Sequence, residues 1–236
     1  MFWVYLLFPI TFFLSRKNHS KYFSYLTLLL YTFNTLLLVF HFPTYSILDI
    51  SGLRLDSSTY LSLLSSVILL LLLYLGNILS LAFASNLKTN PTPSIISNSV
   101  CVSILFNNCL LTSCLFSGWQ IYIAILISSL ISSLSQTRLL KWNLASVQFI
   151  LTKFFESIFQ GFVLIMTGSS LASWFISICS ALLSYPYYTE TPKKNRSVEI
   201  LHFFSVILFG FLISRVLNPY LYSGIFYKLH AEFHFI

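Results

Sequence analysis

Charge is what this chain has least of. Charged residues make up 8% of its 236 positions, and only six are acidic, against about a quarter charged in an average soluble domain. So few charges exclude the solvated surface that a water-soluble domain of this length needs. Glycine and proline are also sparse, at seven each, and no Gly-rich phosphate loop is formed from them. The four cysteines, Cys101, Cys109, Cys114 and Cys179, include no CxxC and no histidine pairing, which excludes a zinc or redox site of recognisable spacing. A Ser-His-Asp set and a pair of aqueous carboxylates are absent too, so the chain is not expected to be a free-standing enzyme or to hold a cofactor. No basic segment precedes the N-terminal FWVYLLFPITFFLS, and no small-residue cleavage site follows it. It reads as a retained hydrophobic element, or as the start of a chain whose upstream part has been lost, rather than as a signal peptide.

What fills the chain instead is apolar sequence, 57% of all residues. Eight hydrophobic runs cover 2–14, 23–42, 60–84, 94–116, 119–134, 147–166, 169–185 and 200–217. A span needs about 20 residues, so the first, fifth and seventh runs are short. The gaps Ser117–Gly118 and Thr167–Gly168 allow each flanking pair to be a hairpin or a re-entrant element. The expected fold is all-α, a polytopic transmembrane helical bundle of seven to eight spans forming one integral membrane domain over 1–236.

The net charge of +7 does not mark a nucleic-acid partner, because its 13 basic residues are scattered rather than gathered on one face. Their order explains the excess. Arg16, Lys17 and Lys21 fall in the first gap, Lys88 in the third, Arg138 and Lys141 in the fifth, and Lys193, Lys194 and Arg196 in the seventh. The second gap has Arg54 against Asp49 and Asp56, and the fourth and sixth have no basic residue. By the positive-inside rule the odd gaps are cytoplasmic and the N-terminus is lumenal or external. The second gap, with Asp49, Ser51, Gly52, Arg54, Asp56, Ser57 and Ser58, has the composition of a solvated or interfacial loop. Asn90-Pro91-Thr92-Pro93 is a turn from which a helix can begin.

Few residues remain that can carry chemistry. Lys153 and Glu156 lie one helical turn apart inside the sixth run; they can neutralise each other as an intrahelical pair, or meet a lipid headgroup or a transported solute. Arg138 and Lys141, in the preceding gap, are further candidates to meet a headgroup. Arg215, before Asn218 and Pro219, reads as a snorkelling arginine near a span end. His230, Glu232 and His234 do not form HExxH, so no metal site is expected. In the fourth run Ser97, Asn107, Asn108 and Ser113 are the packing candidates, since small and amide side chains permit close approach and hydrogen bonds between helices in lipid. That run is the one expected to be most buried in protein.

The stretch SIISNSVCVSILFNNCLLTSCLFSGWQIYIAILIS, residues 94–128, resembles the phosphatidylinositol glycan class C family. Its Leu111-Thr112-Ser113-Cys114-Leu115 fills the place of the family's Leu-Ala-Ser-Arg-Leu, and Gln120-Ile121-Tyr122 opens the next helix. Asp56-Ser57-Ser58-Thr59-Tyr60 is similar to the family's Ser/Thr-Asp-Ser/Thr loop, and Pro186-Tyr187-Tyr188 with Lys193-Lys194-Asn195 to its basic segment. The resemblance covers 21–195. It implies a multi-pass subunit of the endoplasmic reticulum membrane, in the complex that transfers N-acetylglucosamine from UDP-GlcNAc to phosphatidylinositol, the first step of GPI-anchor biosynthesis. The catalytic glycosyltransferase would be a separate membrane partner, and phosphatidylinositol a lipid partner. The alternative is an organelle-encoded hydrophobic subunit of a respiratory or proton-translocating complex in the mitochondrial inner membrane. A solute transporter is disfavoured by the absence of an inverted repeat.

Overall fold

The computed structural model describes residues 3–16, 22–43, 46–53, 93–136 and 144–189, with positions 67, 68, 70, 71, 73–75, 204 and 208. All regular structure among them is helical: α1 (Trp3–Ser15), α2 (Phe23–His41), the short α3 (Ile47–Ser51), α4 (Pro93–Ser103), a π-helical segment (Ile104–Leu111), α5 (Thr112–Phe116), α6 (Ile121–Gln136), α7 (Leu144–Thr167) and α8 (Ser170–Thr189). Helical positions between 67 and 75 add a further element. The runs become helices because apolar side chains continue with few internal breakers, Pro9 within α1 being one, and two of the helices stop where glycine permits a reversal. Gly168 turns α7 into α8 at φ 61°, and Gly118 follows α5 at φ 81°, conformations that cost a side-chain-bearing residue free energy. Pro93 occupies the first position of α4, where its missing N–H breaks no helical bond.

α4, the π segment and α5 run on as one continuous helix through the middle of the molecule. It packs against α1, α2, α6, α7 and α8. Leu105, Leu110, Leu111 and Phe106 on it are essentially inaccessible, as are Phe159, Ile165, Ile176 and Ala124 around it. The polar side chains lie inside with them: Ser128, Ser129, Ser132, Ser133 and Ser135 of α6 are buried, as are Ser173, Ser177 and Ser180 of α8. The outward faces are apolar, with Tyr25 73%, Leu29 66% and Phe40 80% exposed on α2. An apolar outer face over a core that mixes apolar and polar side chains is unlike a water-soluble bundle.

Two described helices are both long and apolar enough to cross a membrane, Phe23–His41 and Ile96–Phe116. The described structure therefore does not supply seven to eight spans. α1 has 13 residues and α6 has 16, about 20 and 24 Å of helix against a hydrocarbon core of about 30 Å. Most of the third run and nearly all of the eighth lie outside the described residues.

The helix ends segregate. Trp3 stacks on His41, with ring centroids 4.4 Å apart, and Phe42 packs on Phe116 at 5.2 Å. The Ser170 N–H donates to the Gly52 carbonyl at 2.8 Å. The start of α1 and the ends of α2 and α5 thus share one end of the bundle, while Ser51 and Ser170 meet mid-helix residues, Tyr31 of α2 and Asn108 of the central helix. At the other end the starts of α2 and α4 meet through Ser24 and Ser97, 3.5 Å apart. Part of the second gap departs from the solvated loop its composition indicates, while Arg54, Asp56, Ser57 and Ser58 lie outside the described residues. α3 tucks Ile50, Ser51 and Gly52 into the protein, and both Tyr31 OH and Ser170 Oγ donate to the Ser51 carbonyl. A Cβ on Gly52 would lie 2.8 Å from Ser170 Oγ, and its φ of 63° is left-handed, so hydrogen bonding and close approach together override polarity here.

Candidate functional site

Lys153, Glu156 and Gln160 recur at spacings of three and four on α7 and therefore share one face. That face is turned into the bundle. Lys153 Nζ lies 2.7 Å from Glu156 Oε2, with the two side chains 10% and 6% exposed. Gln160 Nε2 donates to Glu156 Oε1 at 3.2 Å, and Tyr74 OH donates to Oε2 at 2.7 Å. Tyr74 OH also meets Ser180 Oγ on α8 at 3.1 Å. A buried ion pair persists only where further hydrogen bonds offset the loss of water, and here three donors converge on one carboxylate. Glu156 stands at the thirteenth of the 24 residues of α7, near mid-helix.

The central helix extends this network. Asn107 Nδ2 donates to Gln160 Oε1 at 3.3 Å, to Ser103 Oγ at 3.1 Å and to Ser173 Oγ at 3.4 Å. Its Oδ1 is buried without a hydrogen-bond partner among the described residues. Asn108 Nδ2 donates to Ser170 Oγ, while Asn108 Oδ1 accepts from Trp174 Nε1 at 2.8 Å. Ser113 Oγ donates to Asn34 Oδ1 at 2.8 Å, joining α5 to α2. Both asparagines lie in the π segment, whose widened bonding shows where the Thr112 N–H reaches the Asn107 carbonyl five residues back. Gly161 faces that segment, and a Cβ there would lie 3.2 Å from Leu111 Cδ2.

Of the residues singled out in the sequence, Asn107, Asn108 and Ser113 are buried in contacts between helices, and Lys153 and Glu156 bind each other. Ser97 is exposed, although its hydroxyl is near that of Ser24. Arg138 and Lys141 lie outside the described residues, as do Arg215, His230, Glu232 and His234. Sequence reading missed Gln160, whose position four residues after Glu156 was a usable signal. It also missed Tyr74, the one hydroxyl in the Leu-rich stretch 67–75 of the third run, along with Ser173, Trp174 and Asn34.

Ser99, Val102, Ser132, Gln136, Lys153, Glu156, Ser157 and Gln160 line a small cleft between α4, α6 and α7, with room for roughly one water. That is far too little for a sugar ring or headgroup in this conformation. No group of three or more metal-ligating side chains occurs among the described residues. The four cysteines are free, with Cys101, Cys109 and Cys114 buried and Cys179 half-buried. No family model, no curated protein and no solved structure matches the chain.

Proposed function

We propose that this chain is a multi-span membrane subunit that holds other membrane proteins or lipid in place and performs no bond chemistry itself. The observation that carries the reading is the inverted bundle: amide and hydroxyl side chains pair between helices inside, while Tyr, Leu and Phe side chains face outward. In lipid there is no hydrophobic drive between helices, so such pairs and small-residue contacts become the association terms. The gathering of alternate gaps at one end supports crossing of the bilayer by successive runs, including those too short to span upright. On the resemblance to the class C family, the assembly is the endoplasmic-reticulum complex that moves N-acetylglucosamine from UDP-GlcNAc to phosphatidylinositol, with catalysis in a partner subunit. Cytoplasmic basic residues, among them Arg138 and Lys141, would attract the anionic lipid surface at about 1 kcal/mol each.

One observation favours a second reading, a subunit of a proton-translocating complex: a carboxylate held with a lysine and a tyrosine at mid-helix. Affinity purification in mild detergent separates the two. Co-purifying glycosyltransferase subunits, with loss of transferase activity from microsomes lacking the chain, fit the first. Redox or ATPase subunits, with full transferase activity retained, replace it with the second.

A further inference from the structure

The contacts of α3 fix how deep it lies. Tyr31, whose hydroxyl donates to the Ser51 carbonyl at 2.9 Å, stands ten residues before His41, the last of α2, which is about 15 Å along the axis. Ser170, whose hydroxyl donates to the same carbonyl, also accepts from Asn108 Nδ2. Asn108 stands eight residues before Phe116, the last of α5, or about 12 Å. Helical side chains lean toward the N-terminus of their helix, here away from that end, so their reach does not make the tip of α3 shallower. α2 has 19 residues, about 28 Å of helix, close to the full hydrocarbon thickness of about 30 Å. Ser51 and Gly52 therefore lie near the middle of the layer that α2 crosses.

Backbone at such depth is stable only where protein supplies its hydrogen bonds. The tip of α3 meets that condition. The Ser51 carbonyl takes the Tyr31 and Ser170 hydroxyls, the Gly52 carbonyl takes the Ser170 N–H at 2.8 Å, and the Gly52 N–H donates to the Leu48 carbonyl at 3.0 Å. The side chains turned away from the protein are apolar, with Ile47 56% and Leu48 60% exposed. The α7–α8 turn comes to the same point: Gly52 and Gly168 both have a left-handed φ, and a Cβ on Gly52 would lie 3.0 Å from the Gly168 carbonyl oxygen. Two reversals are thus packed backbone to backbone, with Ser169 and Ser170 buried. A turn between two long helices ordinarily reaches water; this one is covered by α3.

We infer that α3 is a re-entrant strap: it enters the hydrocarbon from the side on which α2 ends, and its Ser51 and Gly52 carbonyls lock the α7–α8 turn to α2 and close that turn off from water. Asp49, the one charged residue of α3, defines the opposite arrangement, a segment lying in the headgroup layer. The strap goes beyond holding partners or lipid in place, and it rests on the part of that reading that puts the bundle in a bilayer.

The test uses the full chain in phospholipid vesicles. Nitroxide labels on Leu48→Cys, Leu29→Cys and Arg16→Cys, all at exposed positions, are read against the label taken up by the cysteines of the wild-type chain. They report collisions with oxygen, which concentrates in hydrocarbon, and with a water-soluble nickel chelate, which does not enter it. At Leu48 the chelate collisions should be about tenfold fewer than at Arg16 and should match those at Leu29. Collisions at Leu48 equal to those at Arg16, or midway between the two controls as in the headgroup layer, overturn the strap. If Leu29 collides with the chelate as often as Arg16, the membrane reading itself fails, independently of the strap. The lock is read by hydrogen–deuterium exchange of the backbone amides in the same vesicles. The Ser170 amide should exchange about tenfold more slowly in the wild-type chain than in Gly52→Ala, whose Cβ presses on Ser170 Oγ. Tyr31→Phe, which removes only one donor to the Ser51 carbonyl, should fall between them, with unchanged amides over 105–110 marking an intact bundle. Exchange at Ser170 that is the same in all three chains overturns the strap.

Discussion

α2 and the central helix Ile96–Phe116 are equally apolar by mean hydropathy, yet the structure buries 83% of the apolar window of the central helix and 28% of that of α2. Apolarity therefore does not choose which helix goes inside. The difference lies in what each can offer a neighbour. The central helix presents Ser103, Asn107, Asn108 and Ser113 to α2, α7 and α8. α2 offers fewer such groups, Asn34 toward Ser113, Tyr31 OH toward the Ser51 carbonyl and Ser24 near Ser97, while its Thr32 hydroxyl turns back on the Leu28 and Leu29 carbonyls of its own helix. Where lipid and protein are equally apolar, a helix that can hydrogen-bond sideways gains from protein neighbours, and a helix that satisfies itself gains nothing.

The largest effect should come from the ion pair that flanks the central helix. Glu156→Ala leaves the Lys153 ammonium in the core without the carboxylate, and should destabilise the bundle by about 3–5 kcal/mol in denaturant titration in detergent. The double change Lys153→Met with Glu156→Met should recover most of that loss; no recovery would mean that the charges are not the reason for the cost.

A smaller effect is expected at the seam between α7 and the π segment. Gly161→Val forces carbon into space already held by Leu111 and Ile125, and should cost about 1–3 kcal/mol by overpacking. Thermal unfolding that is unchanged in this variant would show that α7 does not approach the central helix closely.

Next comes the hydrogen bonding itself. Asn108→Leu removes the contacts to Ser170 and Trp174, and should cost about 0.6–2 kcal/mol and lower the recovery of intact complex. The smallest effect belongs to the outward face of α2: Leu29→Ala, at a position 66% exposed, should shift stability by no more than about 0.5 kcal/mol. If Leu29→Ala proved costlier than Asn108→Leu, the contrast between the two helices would collapse, and the face of α2 would have to be a protein interface.

The sequence by itself determined most of the helices, because long apolar runs leave the backbone few partners but its own turns, and α1 tolerates Pro9 within it. It marked the reversals at Ser117–Gly118 and Thr167–Gly168, a helix start at Ser94, one residue after the Pro93 at which α4 begins, and the spacing that lets Lys153 reach Glu156. It pointed to Asn107, Asn108 and Ser113 as polar groups that need a protein neighbour, without naming the neighbours. Only the tertiary structure decided that Tyr74 and Gln160 bind Glu156, that Ser97 is exposed while Ser103 is buried, and that Ser51 and Gly52 leave the solvent to join Tyr31 and Ser170. These outcomes depend on which groups come within about 3 Å across elements up to 119 positions apart in the chain. A hydrogen bond has a short reach and a direction that no hydropathy pattern carries, so its partners exist only once the helices are packed.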